Sequence, residues 1–254
     1  MTETIRKINN EIQPVNGNGS FWQINDCRRL VAQRYLDSGY IKDSDIDSEG
    51  LMSEEADPYV NHSKYFWSED ESGEITATLR MITIPDNDDK WLLPIERELN
   101  LFDDKREVLS RQKQESPSSV VEISALAKKK GSSSDAVLDM YKNVWQYAKR
   151  NKIQLCAISA DAKLDEVLTG VFGGAISRAG EPGYYMGSTT VPSLLEPDSC
   201  AGAMADIYQS ILSNNGADAA SGYRLLVDYL RDGLEPEYFT DKEKQALETM
   251  GVKI

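Results

Sequence analysis

Apolar positions along the 254-residue chain change their period several times, and each change marks an element. The first helical period covers 25–39, where Cys27, Leu30, Val31 and Tyr35 share a face, Asn25 or Asp26 can cap the start and Gly39 can end it. Residues 1–20, polar and rich in Asn and Gly, predict a loose arm. Residues 43–63, DSDIDSEGLMSEEADPYVNHS, form an acidic, turn-rich connection that is long for a loop inside a domain. Period two then takes over. KYFW (64–67) and EITATLRMITI (74–84) predict a hairpin around SEDESG, with Gly73 at the positive-φ position. The stretch 91–116 predicts a helix and then a polar loop, and VVEISALA (120–127) a strand. A helix is predicted over 135–150, with Val137, Met140, Tyr141, Val144 and Ala148 on one face. QLCAISAD (154–161) predicts a strand, 164–173 a helix, and AISRAG with YYMGSTTV a broken strand or hairpin around Glu181, Pro182 and Gly183. Beyond Pro197 come three helical pieces, the last with a capping box of Thr240 and Glu243 and a closing Gly251. This order predicts an α/β (α+β) protein, with a mixed sheet over 21–197 and a C-terminal helical extension over 198–254.

Charge narrows the partners. Forty-two acidic against 28 basic residues give −14, which argues against nucleic acid and anionic membranes as general partners. No apolar run approaches the ~20 residues of a spanning helix. The N-terminal residues lack the apolar stretch of a secretory signal, so the expected location is the cytoplasm. Cys27, Cys156 and Cys200 are odd in number and far apart, which predicts buried thiols rather than disulfides or a zinc site. A single histidine, His62, supplies no Ser-His-Asp site, and no residues have metal-ligand spacing.

Two internal charges change the picture. In VVEISALA, alternation sets Val121, Ile123 and Ala125 on one face and Glu122 and Ser124 on the other. A carboxylate inside an apolar strand is costly unless paired or functional, and the same holds for Arg80 between Leu79 and Met81. The two can form a buried ion pair, or they can mark a site. Beside them, Lys128, Lys129 and Lys130 precede Gly131-Ser132-Ser133-Ser134 at a helix start. Free backbone N–H groups and the positive helix end suit a phosphate. Three lysines in so acidic a chain also suit a phosphopantetheine or coenzyme A phosphate, or the acidic face of an acyl-carrier protein. A solvated lysine turn is the plain alternative. Walker A and GxGxxG patterns are absent.

Together, TATLRMI, VVEISALA with its following loop and helix, and RAGEPGYYMGSTTVP resemble the GNAT-related acyltransferases. Within them the resemblance is to the branch of acyl-homoserine-lactone synthases and long-chain N-acyl amino acid synthases. It rests on Asp57 ahead of Arg80 as D-P-Y…R, on A-T-x-R, on Glu122 and Ser124 as E-x-S, and on the segment Gly180 to Pro192. RYLDSGYI (34–41) adds an echo of the first-helix end, and about 25–197 is covered. Ala125 stands where the lactone synthases carry arginine, and Val60 where a second acid is expected. Both departures weaken S-adenosylmethionine as acceptor more than they weaken a thioester donor.

The resemblance implies a GNAT-like acyl-CoA N-acyltransferase fold. It also implies transfer of a fatty acyl group, long-chain in this branch, from an acyl-carrier-protein or coenzyme A thioester to an amine such as an amino acid. No tightly bound cofactor is implied, and a carrier protein is the expected donor because the lysine turn suits its acidic helix. Glu122 is the implied general base, with Tyr184 or Tyr185 protonating the leaving thiolate. Arg80, Asp57, Arg34 and Ser124 would form the acceptor pocket. Leu126, Ala127, Lys128, Lys129, Lys130, Gly131, Ser132, Ser133 and Ser134 would follow the donor, and backbone N–H groups where the strand splays would meet the oxyanion. Two alternatives stand beside this: a peptide side-chain amine held by the acidic loop and the tail, or an acyl-binding module without turnover, which Ala125 and Val60 favour.

Overall fold

The structure is a computed structural model that describes residues 8–12, 21–53, 55–85, 88 and 90–254. One sheet holds β1 (Ile8–Ile12), β2 (Ser63–Glu69), β3 (Ile75–Thr83), β4 (Val120–Lys128), β5 (Leu155–Asp161), β6 (Ile176–Arg178), β7 (Gly183–Tyr185) and β8 (Ser188–Leu195). Its order is β1-β2-β3-β4-β5-β8-β6, with β7 also on β8. All neighbours are antiparallel except β4 and β5. That parallel pair requires a crossover, which α4 (Asp135–Arg150) supplies. β1 corrects the expectation of a loose arm, because 8–12 pairs with β2. The rest of the arm, 1–7 and 13–20, lies outside the described residues.

Local chemistry explains most boundaries. Between β2 and β3, Asp70 Oδ1 accepts the N–H groups of Ser72 and Glu74, and Gly73 takes φ +82°. α1 (Phe21–Asp37) begins before Asn25, so Asn25 and Asp26 lie inside it rather than at its cap, and Gly39 at φ +71° follows it. In place of the helix and polar loop expected over 91–116 there are two helices, α2 (Pro94–Glu98) and α3 (Asp103–Glu115). The break serves a distant contact. Leu101 bridges Gly180, and the Phe102 N–H bonds the Ala179 carbonyl at 2.8 Å. A Cβ on Gly180 would lie 2.1 Å from the Asn100 carbonyl oxygen, so only glycine permits this docking.

Helices cover both faces. Val120, Ile82 and Ala157 pack with Ile95, Leu99 and Leu109 of the α2–α3 region, while α1 packs on Tyr65, Trp67, Ala125 and Ala127. Opposite, Val121, Leu79, Cys156 and Ile158 pack with α4 and with α5 (Ala162–Phe172). The C-terminal helices α6 (Cys200–Asn215), α7 (Ala217–Arg231) and α8 (Asp241–Thr249) extend this second core through Met204, Val227, Leu230 and Leu247. Polar contacts fasten them to α4. Gln146 donates to the carbonyls of Leu230 and Asp232, and Lys149 meets Glu243 at 2.7 Å and also Asp198. Thr240 and Glu243 form the expected capping box.

All three cysteines are buried and unpaired, and burial pushes the thiols of Cys27 and Cys156 up to about 12. Among the described residues, no helix is long and apolar enough to cross a membrane.

Candidate active site

The centre of the sheet opens. β4 pairs with β5 from Val120–Leu155 to Ile123–Ile158 and no further, after which β4 stays with β3 and β5 with β8. At the same point β4 bulges against β3. Arg80 faces Ser124 and Thr78 faces Ala127, so Leu79 alone opposes Ala125 and Leu126. Ala125 takes φ +51°, a left-handed conformation costing a residue with a Cβ roughly 1–2 kcal/mol. The bulge reverses the alternation. Ala125 packs with Val31, Ile41 and Met52 on the α1 side, and Leu126 turns towards α4, which corrects the expectation that Ala125 shares a face with Val121 and Ile123.

Two cavities meet at this fork and share Ser124, Ala125, Leu126, Ser159, Ala160 and Leu164 as common wall. On the α1–α2 side is a polar chamber of about 460 Å³ that reaches Tyr35, Asp57, Tyr59, Arg80, Arg97, Glu122 and Tyr185. On the α4 side is an apolar pocket of about 60 Å³ between Leu79, Ile123, Tyr141, Val144, Trp145, Ile158 and Phe172.

Glu122 is fully buried on the chamber wall. One carboxylate oxygen accepts the Ile95 N–H at 2.9 Å and the other the Ser159 hydroxyl at 3.0 Å. Burial pushes its carboxyl up to about 7, and the two donors and Arg80 only partly oppose that. Arg80 does not pair with it. Its Nη1 donates to Asp57 at 2.6 Å, its Nη2 reaches Ser124 Oγ at 3.4 Å, and its Nε has no hydrogen-bond partner among the described residues. Burial acts most strongly against the guanidinium charge, but the Asp57 carboxylate together with Tyr65 and Tyr35 outweighs it and raises the pKa of Arg80. The Arg80–Glu122 ion pair allowed by the sequence is therefore replaced by Arg80–Asp57. Glu122 keeps only neutral donors, too weak to offset the burial that raises its pKa to about 7.

The rest of the chamber was only partly foreseen. Tyr185 enters on the hairpin β7–β8, whose turn residues Met186 and Gly187 both take positive φ, +47° and +80°. Alternation then points Tyr184 outward, where it is 82% exposed, so Tyr184 is removed from the candidate catalytic set. Burial and the neighbouring Glu122 raise the Tyr185 phenol well above its ordinary value. Arg34 is also removed: it is half-exposed, bonds Asp37 at 3.0 Å and does not line the chamber, whereas its neighbour Tyr35 does. Tyr59, Arg97 and Ser159 were missed. Ser159 carried the signal that exposed Glu122, a polar residue within an apolar strand. Arg97 sits on short α2 with its guanidinium 5.5 Å from the Tyr59 ring centre and no ion-pair partner among the described residues. The Tyr59 hydroxyl is buried and unpaired among the described residues. His62 packs on Trp91 outside the chamber.

Of the expected donor residues, Leu126 lines the fork and Ala127 is buried on the α1 side. Lys128 Nζ donates to the Ser132 carbonyl at 2.7 Å, Lys129 pairs with Glu74, and Lys130 is exposed. Lys129, Lys130, Gly131, Ser132 and Ser133 line a separate surface depression of about 450 Å³ beyond the end of β4. The lysine turn thus stands at the head of the forked strand but outside the wall of the apolar pocket. Ser134 precedes α4 without a side-chain cap, while Ser133 Oγ accepts the Asp135 N–H.

The profile of the N-acyl amino acid synthase FeeM family matches residues 26–195, more than half of the chain. The chain belongs to that family. It is therefore an acyltransferase, and the non-catalytic reading falls away. A search of curated protein sequences finds no significant match. Among solved structures, FeeM from uncultured soil microbes is 16% identical, covering 79% of this chain and 95% of its own, with a TM-score of 0.57. The acyl-homoserine-lactone synthase LasI is 14% identical over 78% of this chain and 91% of its own, with a TM-score of 0.52. BjaI, a CoA-dependent synthase solved with SAM and isopentyl-CoA, is 11% identical over 81% and 93%, also at 0.52. At such identities these likenesses establish the GNAT-like fold, as the family resemblance implied.

Proposed function

We propose that this FeeM-family protein joins a fatty acyl group, delivered as an acyl-carrier-protein thioester, to the amine of a free amino acid, with Glu122 as the proton carrier. One observation carries the reading: a buried carboxyl raised to about 7 lines a polar chamber next to the wall that the chamber shares with an apolar pocket. The thioester carbonyl would sit at the fork with its chain in the apolar pocket. The amine nitrogen attacks that carbon from the chamber, the C–N bond forms, and the oxyanion meets backbone N–H groups of the bulge around Ala125 and Leu126. Collapse breaks the C–S bond. Glu122 accepts a proton from nitrogen and returns it to sulfur. A carboxyl near 7 lies close enough to a thiol, which ionises at about 8.5, to pass a proton in either direction. Tyr185, its phenol raised by burial and by Glu122, stays protonated and offers a hydrogen bond to the leaving sulfur.

For the acceptor, Arg80 is already engaged by Asp57, so the exposed guanidinium of Arg97 is the cation open to a carboxylate, with Arg80, Asp57, Tyr59 and Ser124 shaping the wall. A chamber of about 460 Å³ is in the range of small-molecule sites and favours a free amino acid over a peptide. Lys130 and its neighbours support a carrier as donor, since they form a basic turn on a chain of charge −14. The buried thiols suit a reducing cytoplasm. The test is incubation of the purified chain with acyl-carrier-protein and acyl-CoA thioesters and an amino acid mixture, with amides read by mass spectrometry. An amide formed by the parent and lost in Glu122→Gln supports the reading. Reversing Lys128, Lys129 and Lys130 to Glu raises the carrier KM steeply at low salt; an unchanged KM removes carrier docking.

A further inference from the structure

The end of the apolar pocket remote from the fork is closed by a part of the chain that the family match does not reach. Tyr141, Val144, Trp145 and Ala148 recur at helical spacing along one stripe of α4 and form its long wall, about 10 Å at 1.5 Å per residue. Along β5, Ser159 and Ala160 belong to the shared mouth, while Cys156 lies only in the pocket, where β4 and β5 are still paired. Trp145, Cys156 and Pro197 line that end together.

Trp145 is held there by the tail. It is 2% exposed, its indole N–H donates to the Pro197 carbonyl at 3.3 Å, and its outer side meets Phe239 edge-on at 6.1 Å between ring centres. One turn along α4, Lys149 is clasped by Asp198 and Glu243, both from the tail, and lies over the same Phe239 ring. Trp145 therefore cannot swing outward without breaking the packing of α4 against the tail. The space that ends at this wall is small, about 60 Å³.

We propose that Trp145, buttressed by Pro197 and Phe239, is an acyl-chain ruler that sets the longest chain the donor can carry. The C-terminal helices act on specificity by fixing the depth of the pocket. This rests on the acyl-transfer reading for its biological meaning, but pocket depth can be measured without turnover.

The experiment uses the full chain and its Trp145→Ala, Trp145→Leu and Phe239→Ala variants, each checked for a cooperative melt. kcat/KM is measured over saturated thioesters from butanoyl to hexadecanoyl. Binding of the matching free fatty acids is measured in parallel by calorimetry. In the parent, each added methylene should strengthen both quantities about fourfold until the floor is reached, after which both fall. Trp145→Ala should move the break to longer chains and favour dodecanoyl over hexanoyl at least tenfold relative to the parent; Trp145→Leu should move it less, and Phe239→Ala least. If Trp145→Ala does not fold, Trp145→Leu decides. A parent that takes hexadecanoyl chains as well as octanoyl, or a break unmoved in the folded variants, overturns the ruler. Absence of amide from every thioester and amine, with the length break still present in fatty-acid binding, overturns the transfer reading and leaves the ruler standing.

Discussion

The chamber and the pocket flank one fork and share six residues, yet they treat burial in opposite ways. On the α4 side, Leu79, Val144, Trp145 and Phe172 leave water at no polar cost, so every contact stabilises. On the α1–α2 side, Asp57, Arg80 and Glu122 are buried as deeply, and the chain offsets their desolvation only in part. One ion pair is complete, Glu122 has two neutral donors, and the Tyr59 hydroxyl and Arg80 Nε have no partner among the described residues. Reactivity and stability are thereby placed on different sides of one strand. The same chemical step, truncation or neutralisation, should have opposite consequences on the two sides.

Glu122→Gln should have the largest effect and should split activity from stability. Amide formation should fall 10²–10⁴-fold, the usual contribution of a positioned general base. Stability should move the other way. With the folded pKa raised from 4.5 to about 7, Glu122 favours the folded state fully below pH 4.5, and this contribution disappears as pH rises through 7. The variant lacks that loss, so denaturant unfolding should find it little changed at pH 5 and up to roughly 3 kcal/mol more stable than the parent at pH 8. Equal pH dependence in parent and variant would mean that Glu122 titrates normally.

Asp57→Asn comes next. It leaves Arg80 buried without its counter-charge, which should cost about 3–5 kcal/mol, and the double change with Arg80→Met should recover part of that. Additive single and double changes would dissolve the pair. On the apolar side, Leu79→Ala should cost roughly 2–3 kcal/mol, near the lower end for a buried leucine because open space already adjoins it. It should leave the pH profile of the rate untouched, in contrast to every change on the chamber side.

How far the sequence disclosed this arrangement depended on whether the deciding contact was local. Glu122, Arg80 and Ser124 stood out because polar residues interrupt apolar strands, and the strand–turn–helix order around them followed from period alone. The fork itself is not legible, because nothing in VVEISALA tells that Ala125 adopts φ +51° and reverses the alternation. Tyr184 and Tyr185 are equivalent until the β7–β8 hairpin sets which one faces inward. The break between α2 and α3 is imposed by Gly180 from across the fold, and Asp57 reads as a turn residue until Arg80 is beside it. The tail reads correctly as helices, yet its partnership with α4 spans 94 residues between Lys149 and Glu243 and leaves no periodic trace.

The smallest expected effect lies on the shared wall. Ser159 donates to Glu122 and touches both cavities, so Ser159→Ala removes a bond that favours the ionised carboxylate without adding charge or much volume. A hydrogen bond to a charged group contributes about 1.5–3 kcal/mol at most, of which the neutral carboxyl keeps a share, so the Glu122 pKa should rise by about one unit or less. The rising limb of kcat/KM against pH should move from near 7 towards 8: the variant should lose several-fold at pH 6 and match the parent at pH 9. A limb that stays in place would show that the Ile95 N–H alone sets the ionisation. A limb that moves to lower pH would reverse the sign of the argument, because it would mean that Ser159 holds the protonated form, and the contrast between the two sides of β4 would then rest on desolvation alone.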